Sequence, residues 1–186
     1  MLGNDIVDVE LANIQSNWRR PRYLDKLFTT EEHNYIKSSS NASTMVWTLW
    51  SMKEAAYKLY TQLRPSRFYN PKSFVCHLKD HNEVIYKDFH CYVNTEITSN
   101  YILSEASFEC SEISSKIIQF EIHVSQNQSE FLQEQLFKVL NDVLQIDKKG
   151  FIFQKDCFGI PKVTFDNKEI NVSLSHHGRF GAIAYS

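Results

Sequence analysis

Between Ser43 and Leu63 the apolar residues Val46, Leu49, Met52, Ala56, Leu59 and Leu63 recur at steps of three and four. That recurrence is the mark of a helix buried along one side. Pro65, which lacks an N–H and cannot continue a helix, marks its end. Trp47, Trp50, Glu54, Lys58 and Thr61 form a second stripe beside the first.

The flanking segments have other periods. Gly3 to Leu11 reads as a short strand with an acidic tip, followed by a basic loop at Arg19-Arg20-Pro21-Arg22. Thr29-Thr30-Glu31-Glu32 starts a helix, with a threonine cap and carboxylates in the first turn. Ser38-Ser39-Ser40-Asn41 ends it. Alternation from Phe74 to Leu78, Glu83 to Val93 and Tyr101 to Phe108 predicts three antiparallel strands. The polar stretch from Cys110 to Ser115 divides the chain into halves, 1–114 and 115–186. A strand over Ile117 to Val124 and a helix over Phe131 to Leu144 follow. Strands over Phe151 to Phe165 and Ile170 to Tyr185 complete the chain, with turns near Gly159 and Gly178. The expected fold is α+β: two similar halves, each an antiparallel sheet packed on helices, with the active-site cleft between them.

Composition narrows the function. With 20 basic and 22 acidic residues the net charge is -2, which argues against a whole-surface nucleic-acid or membrane binder. No apolar run approaches the roughly 18 residues of a membrane span, and no basic and apolar leader opens the chain, so a cytoplasmic protein is expected. The four cysteines lack metal spacing and are expected to be reduced and mostly buried.

Three clusters could carry chemistry. Asp5 and Asp8 lie an odd number of residues apart on a strand and so point to opposite faces. Glu54 and Lys58, four apart on the helix, share a face. They read either as a surface ion pair or as a metal-binding carboxylate with a cation for a phosphate-bearing substrate. Ser173-Leu174-Ser175-His176-His177-Gly178 ends a strand in a glycine turn, whose hydroxyl, imidazole and N–H groups suit phosphate oxygens. The adjacent histidines face opposite ways, which disfavours a shared metal ion, and no nucleophile elbow accompanies Ser175 and His176.

Taken together, Gly3-Asn4-Asp5-Ile6-Val7-Asp8, Lys26-Leu27-Phe28-Thr29 with Glu31 or Glu32, and Leu49-Trp50-Ser51-Met52-Lys53-Glu54-Ala55-Ala56-Tyr57-Lys58 resemble the 4'-phosphopantetheinyl transferase superfamily. Gly159-Ile160-Pro161 and Val172-Ser173-Leu174-Ser175-His176 resemble its coenzyme A half. The resemblance implies Mg2+-dependent transfer of phosphopantetheine from coenzyme A to a serine of an apo acyl or peptidyl carrier protein. It implies Asp5 and Glu54 as metal ligands and Lys58 as the group that stabilises or protonates the departing 3',5'-ADP. Ser175 and His176 would hold coenzyme A phosphates, with either Glu54 or a metal-bound water taking the serine proton. Arg179 and Lys162 or Lys155 are the nearby cations expected to join the coenzyme A donors. Val7 stands where larger members carry a further acid, and Ile160 where a family lysine contacts phosphate. The metal half comes first, as in the short trimeric type, yet two halves in one chain point to a monomer. Two rival readings are an idle paralogue that binds coenzyme A or carriers without turnover, and a Mg2+-dependent phosphohydrolase. The chain has no code that names its carrier protein.

Overall fold

The computed structural model describes residues 1–110, 113–121, 127–145 and 150–186. The opening strand β1 spans Gly3–Asp8, shorter than expected. The Asp8 carboxylate accepts the Leu11 N–H at 3.3 Å and caps a helix, α1 (Val9–Gln15). Here the capping preference of aspartate outweighs the strand preference of Val9. A short helix α2 (Tyr23–Leu27), not expected from the sequence, follows the basic loop. Helix α3 (Thr30–Ser38) opens with a full capping box: Thr29 Oγ1 accepts from the Glu32 N–H, and the Glu32 carboxylate accepts from the Thr29 N–H at 2.7 Å. The amphipathic stretch is helix α4 (Ala42–Leu63), capped by Asn41.

After a 3-10 turn at Pro71–Ser73 come β2 (Val75–His77), β3 (Glu83–Tyr86), β4 (Phe89–Ile97) and β5 (Tyr101–Ser107). The single strand expected over Glu83 to Val93 is instead a hairpin, with Lys87 at φ 55° in its turn. No glycine or asparagine marks that turn, so the alternation hides it. The rest of the chain holds β6 (Ser114–Gln119), α5 (Gln128–Leu144), β7 (Phe151–Lys155), β8 (Pro161–Phe165), β9 (Lys168–Ile170), β10 (Val172–His177) and β11 (Phe180–Tyr185). The far end of the strand expected over Ile117 to Val124 and part of the polar boundary lie outside the described residues.

All strand pairs are antiparallel. One sheet has the order β1-β5-β4-β3-β2, a second β10-β11-β6 and a third β7-β8-β9. The fold is therefore α+β, with α4 against one face of the five-stranded sheet, β10 and β11 against β1 on the other, and α5 beyond them. Ile6, Leu103, Phe180 and Ala182 fill the seam between the two sheets. No helix among the described residues is long and apolar enough to cross a membrane. Cys76 and Cys91 are buried, whereas Cys110 and Cys157 are exposed; all four are free thiols.

The core beneath α4 contains an ion pair. Lys53 Nζ lies 2.7 Å from one Glu32 carboxylate oxygen and 3.0 Å from the other, with both side chains fully buried. Lys53 also donates to the carbonyls of Pro71 (3.0 Å) and Phe74, and Glu32 accepts the Cys76 N–H at 2.8 Å. Every formal demand of the pair is met, which is what makes such burial tolerable. It binds α3, α4 and β2 into one block. Lys53→Met should destabilise the protein by about 3–5 kcal/mol, because Glu32 would be left buried and unpaired. Urea denaturation checks this, and a loss below about 1 kcal/mol would contradict it.

Candidate functional site

The site is organised around β1. One face of the strand lies on α4. A Cβ on Gly3 would come within 2.1 Å of the Ala55 carbonyl oxygen, so only glycine permits this approach. Asp5 is on the same face and reaches α4, where Lys58 Nζ lies 3.2 Å from its Oδ1. The even-numbered residues face the second half, and Asp8 meets Arg179 there. The two aspartates thus point to opposite faces, as strand alternation requires.

β1 is also an edge strand, and side chains complete its open edge. Ser173 Oγ accepts the Asn4 N–H and His177 Nδ1 the Asp8 N–H, each at 3.0 Å. Lys58 Nζ donates to the Asn4 carbonyl at 2.8 Å. Ser173 and His177 are four residues apart on one face of β10, matching the spacing of the two N–H groups they cover. Ser175 lies between them, buried, with its hydroxyl unpartnered among the described residues.

Asp5, Glu54, His176 and His177 line one cleft of about 220 Å³, walled by Trp47, Trp50 and Tyr23. The helical and strand spacings thus bring Asp5, Glu54 and Lys58 together, with His176 on the opposing lip. Burial raises the Asp5 carboxyl, a shift that Lys58, His177 and Ser51 oppose. Ser51 also donates its hydroxyl to the Asp5 carbonyl at 3.1 Å. Glu54 is pushed up to about 7, first by burial and then by the charge on Asp5, with Lys58 opposing. Two carboxylates that destabilise each other's charge, with one lysine between them, leave the cleft floor short of positive charge. Paired hard oxygens in an open cleft fit an ion such as Mg2+, which takes one or two carboxylates and completes its shell from water and phosphate. Among the described residues no third His, Cys, Asp or Glu joins them to form a metal-binding group. Val7 is at the cleft wall.

On the other side of Lys58 a second cleft, about 190 Å³, runs past Gln62, Phe158, Gly159, Ile160, Pro161 and Ser173. Gly159 sits at φ 86°, and the Asp156 carboxylate holds this turn by accepting the N–H groups of Phe158 and Ile160. Lys162 is exposed in a separate groove with Asp156 and Glu169. Lys155, rather than Lys162, acts on His176: burial first, then the charges of Lys58, Lys155 and His177, hold His176 below its ordinary pKa.

Arg179 lies apart from the phosphate donors expected of it. Its backbone N–H and Nε donate to Asp8 Oδ2 at 2.9 and 2.8 Å, one terminal nitrogen donates to Asp8 Oδ1 at 2.7 Å and the other to Glu10 at 2.6 Å. The guanidinium clamps the start of α1 to the β10–β11 turn. Gly178, at φ 56°, makes room for it, since a Cβ there would meet Asp8 Oδ2 at 2.6 Å. The sequence reading missed this clamp, the Asp8 cap and the bond from the Asp8 N–H to His177. Strand alternation, which turns His177 toward β1, was the available signal.

A sequence profile of the 4'-phosphopantetheinyl transferase superfamily matches residues 1–111, the part that supplies Asp5, Glu54 and Lys58. A search of curated proteins returns no match.

The clamp has a pH signature. Burial works to raise Asp8, but Arg179 and the N–H groups of Arg179 and Leu11 outweigh it and hold the carboxyl below the usual range. A carboxyl with a depressed folded pKa contributes stability above its unfolded pKa, and the contribution is lost as pH falls through the folded value. Arg179→Met should therefore be less stable than the parent at pH 7, and the gap should close as the pH drops below about 4. Denaturation midpoints at pH 7 and pH 3 test this; a gap of equal size at both would refute the clamp.

Proposed function

The chain belongs to the 4'-phosphopantetheinyl transferase superfamily, and on that premise we propose that it is a holo-carrier-protein synthase. It would move 4'-phosphopantetheine from coenzyme A to a serine hydroxyl of an apo acyl or peptidyl carrier protein and release 3',5'-ADP. The observation that carries this reading is the meeting of Asp5 and Glu54, from two elements distant in the chain, at one cleft with His176 on its other lip and Lys58 bonded to Asp5. In this reading residues 1–114 hold the ion and 115–186 hold coenzyme A. Both lips come from one chain, which supports a monomer, and light scattering gives the mass that checks it.

Asp5 and Glu54 would hold Mg2+, which supplies positive charge to the pyrophosphate oxygens when bound. The serine oxygen forms a bond to the phosphorus bearing the pantetheine arm as the bond from that phosphorus to the 3',5'-ADP oxygen breaks. The serine proton would pass to Glu54 or to water. Lys58 spends two N–H groups on the Asn4 carbonyl and Asp5. Its third faces the departing phosphate, whose charge it neutralises. Ser175 and His176, with Lys155 behind them, hold the phosphates of coenzyme A. Trp47, Trp50 and Tyr23 exclude water from the reacting atoms.

Incubation of candidate apo carriers with coenzyme A, Mg2+ and this protein, followed by intact-mass analysis, tests the reading. Attachment of phosphopantetheine to the carrier supports it. Release of product from coenzyme A without a carrier would indicate a hydrolase, and binding without turnover an idle paralogue. Glu54→Gln keeps helix propensity but removes the charge, and should lower kcat by about a hundredfold or more. Normal transfer by the folded variant would reduce Glu54 to a surface partner of Lys58.

His176 supplies a pH test. Its pKa is lowered in the free protein, so a bound phosphate would favour its charged form and draw in a proton. Affinity for coenzyme A should rise as pH falls from 8 to 6, and His176→Ala should flatten that rise. Calorimetry at both pH values decides. An unchanged profile in the variant would remove His176 from the coenzyme A site.

A further inference from the structure

Tyr69 stands just beyond α4, in the loop that leads to the Pro71–Ser73 turn. Its ring is fixed on three sides. It stacks on Tyr57 with centroids 4.3 Å apart, meets Trp50 edge-on at 6.3 Å and leans on Phe74 at 5.8 Å. Its hydroxyl is shut off from solvent yet has no hydrogen-bond partner among the described residues. A buried hydroxyl without a partner is costly, and such groups are rare in folded proteins. Tyr57 differs: its hydroxyl donates to the Ser66 carbonyl at 3.0 Å.

Trp50 and Tyr57, which hold the ring, stand four residues before and three after Glu54 on α4, so Tyr69 is packed over the helix face that carries Glu54. Burial first, and then the charges of Glu54 and Asp5, raise its pKa and keep it a neutral donor. A glutamate holding a metal ion through one oxygen has a second oxygen free to accept a hydrogen bond, and such a bond orients the ligand. We propose that Tyr69 is a positioning residue of the carboxylate pair, its hydroxyl donating to the Glu54 oxygen that the ion leaves free. This rests on the transferase reading, because it presumes that Glu54 is a metal ligand. Tyr69 touches neither substrate nor ion and acts through Glu54.

Tyr69→Phe deletes the hydroxyl and keeps the stacked ring. Mn2+ serves as the probe, its binding to the purified protein followed by calorimetry without coenzyme A or carrier. The variant should bind Mn2+ about 10- to 100-fold more weakly, with the melting temperature of the metal-free protein unchanged or raised, since an unpartnered polar group is gone. kcat should fall while KM for coenzyme A holds. Tyr57→Phe, measured for Mn2+ affinity alone, should match the parent. Parental Mn2+ affinity in a folded Tyr69→Phe protein would overturn the proposal and leave the transferase reading standing. A lowered melting temperature with unchanged Mn2+ affinity would overturn it equally, by making Tyr69 a packing residue. A parent protein that binds no Mn2+ would defeat the transferase reading itself, and this proposal with it.

Discussion

The open edge of β1 is the constraint on which the site depends. An edge strand presents unpaired N–H and C=O groups, and these must be covered or solvated. Here Ser173, His177 and Lys58 cover them, two from β10 and one from α4. Because side chains do this instead of another strand, no sixth strand among the described residues closes over the edge, and a cleft remains beside Asp5. The covering groups are bonded to the backbone of the residues that flank the aspartate. The position of Asp5 relative to α4 and β10 is therefore set by hydrogen bonds on both sides, and by the Gly3 contact that brings the strand onto the helix.

Two neighbouring residues on α4 show how burial sorts charges into structure and chemistry. Lys53 is fully buried, and its ammonium meets a carboxylate and two carbonyls. Such a group is held in place with nothing left over for a ligand. Glu54, the next residue, is half-buried and faces Asp5, and its pKa rises to about 7. One turn later Lys58 relieves the pair only in part, because its contact is with Asp5. The helix thus directs one ion pair into the core and leaves an incomplete one at the cleft. The angle of about 100° between successive residues on a helix is the reason that adjacent side chains have such different surroundings.

The β10–β11 hairpin braces β1 and α1. Arg179, the most prominent cation after residue 170, closes on Asp8 and Glu10 and ties α1 to the β10–β11 turn. The wall of the cleft formed by α1 is held by that clamp and by the bond from the Asp8 N–H to His177. His176 is left at the cleft beside Asp5 and Glu54.

Which cleft residues share a face within one element was legible in the sequence because local rules set it, whereas the meeting of Asp5 with Glu54 was implied only by the family resemblance. Glu54 and Lys58 share a helix face by a four-residue step, and Asp5 and Asp8 divide between two faces by strand alternation. The long helix, the capping at Thr29 and the turns at Gly159 and Gly178 follow from the same short-range chemistry. The hairpin at Lys87 and the helix begun by Asp8 escaped because the apolar residues beside them also fit a strand. Partners across the fold were beyond such rules. Lys53 finds Glu32 across α3 and α4, Arg179 finds Asp8 from the β10–β11 turn, and Tyr69 comes to lie against Trp50 and Tyr57 of α4. Sequence periodicity states which side of an element is apolar but not which element covers it. By itself the sequence determined the elements and the faces their side chains share. The tertiary structure decided which charges are neutralised and which stay open to a ligand, because that depends on what packs against each face and how much water it excludes.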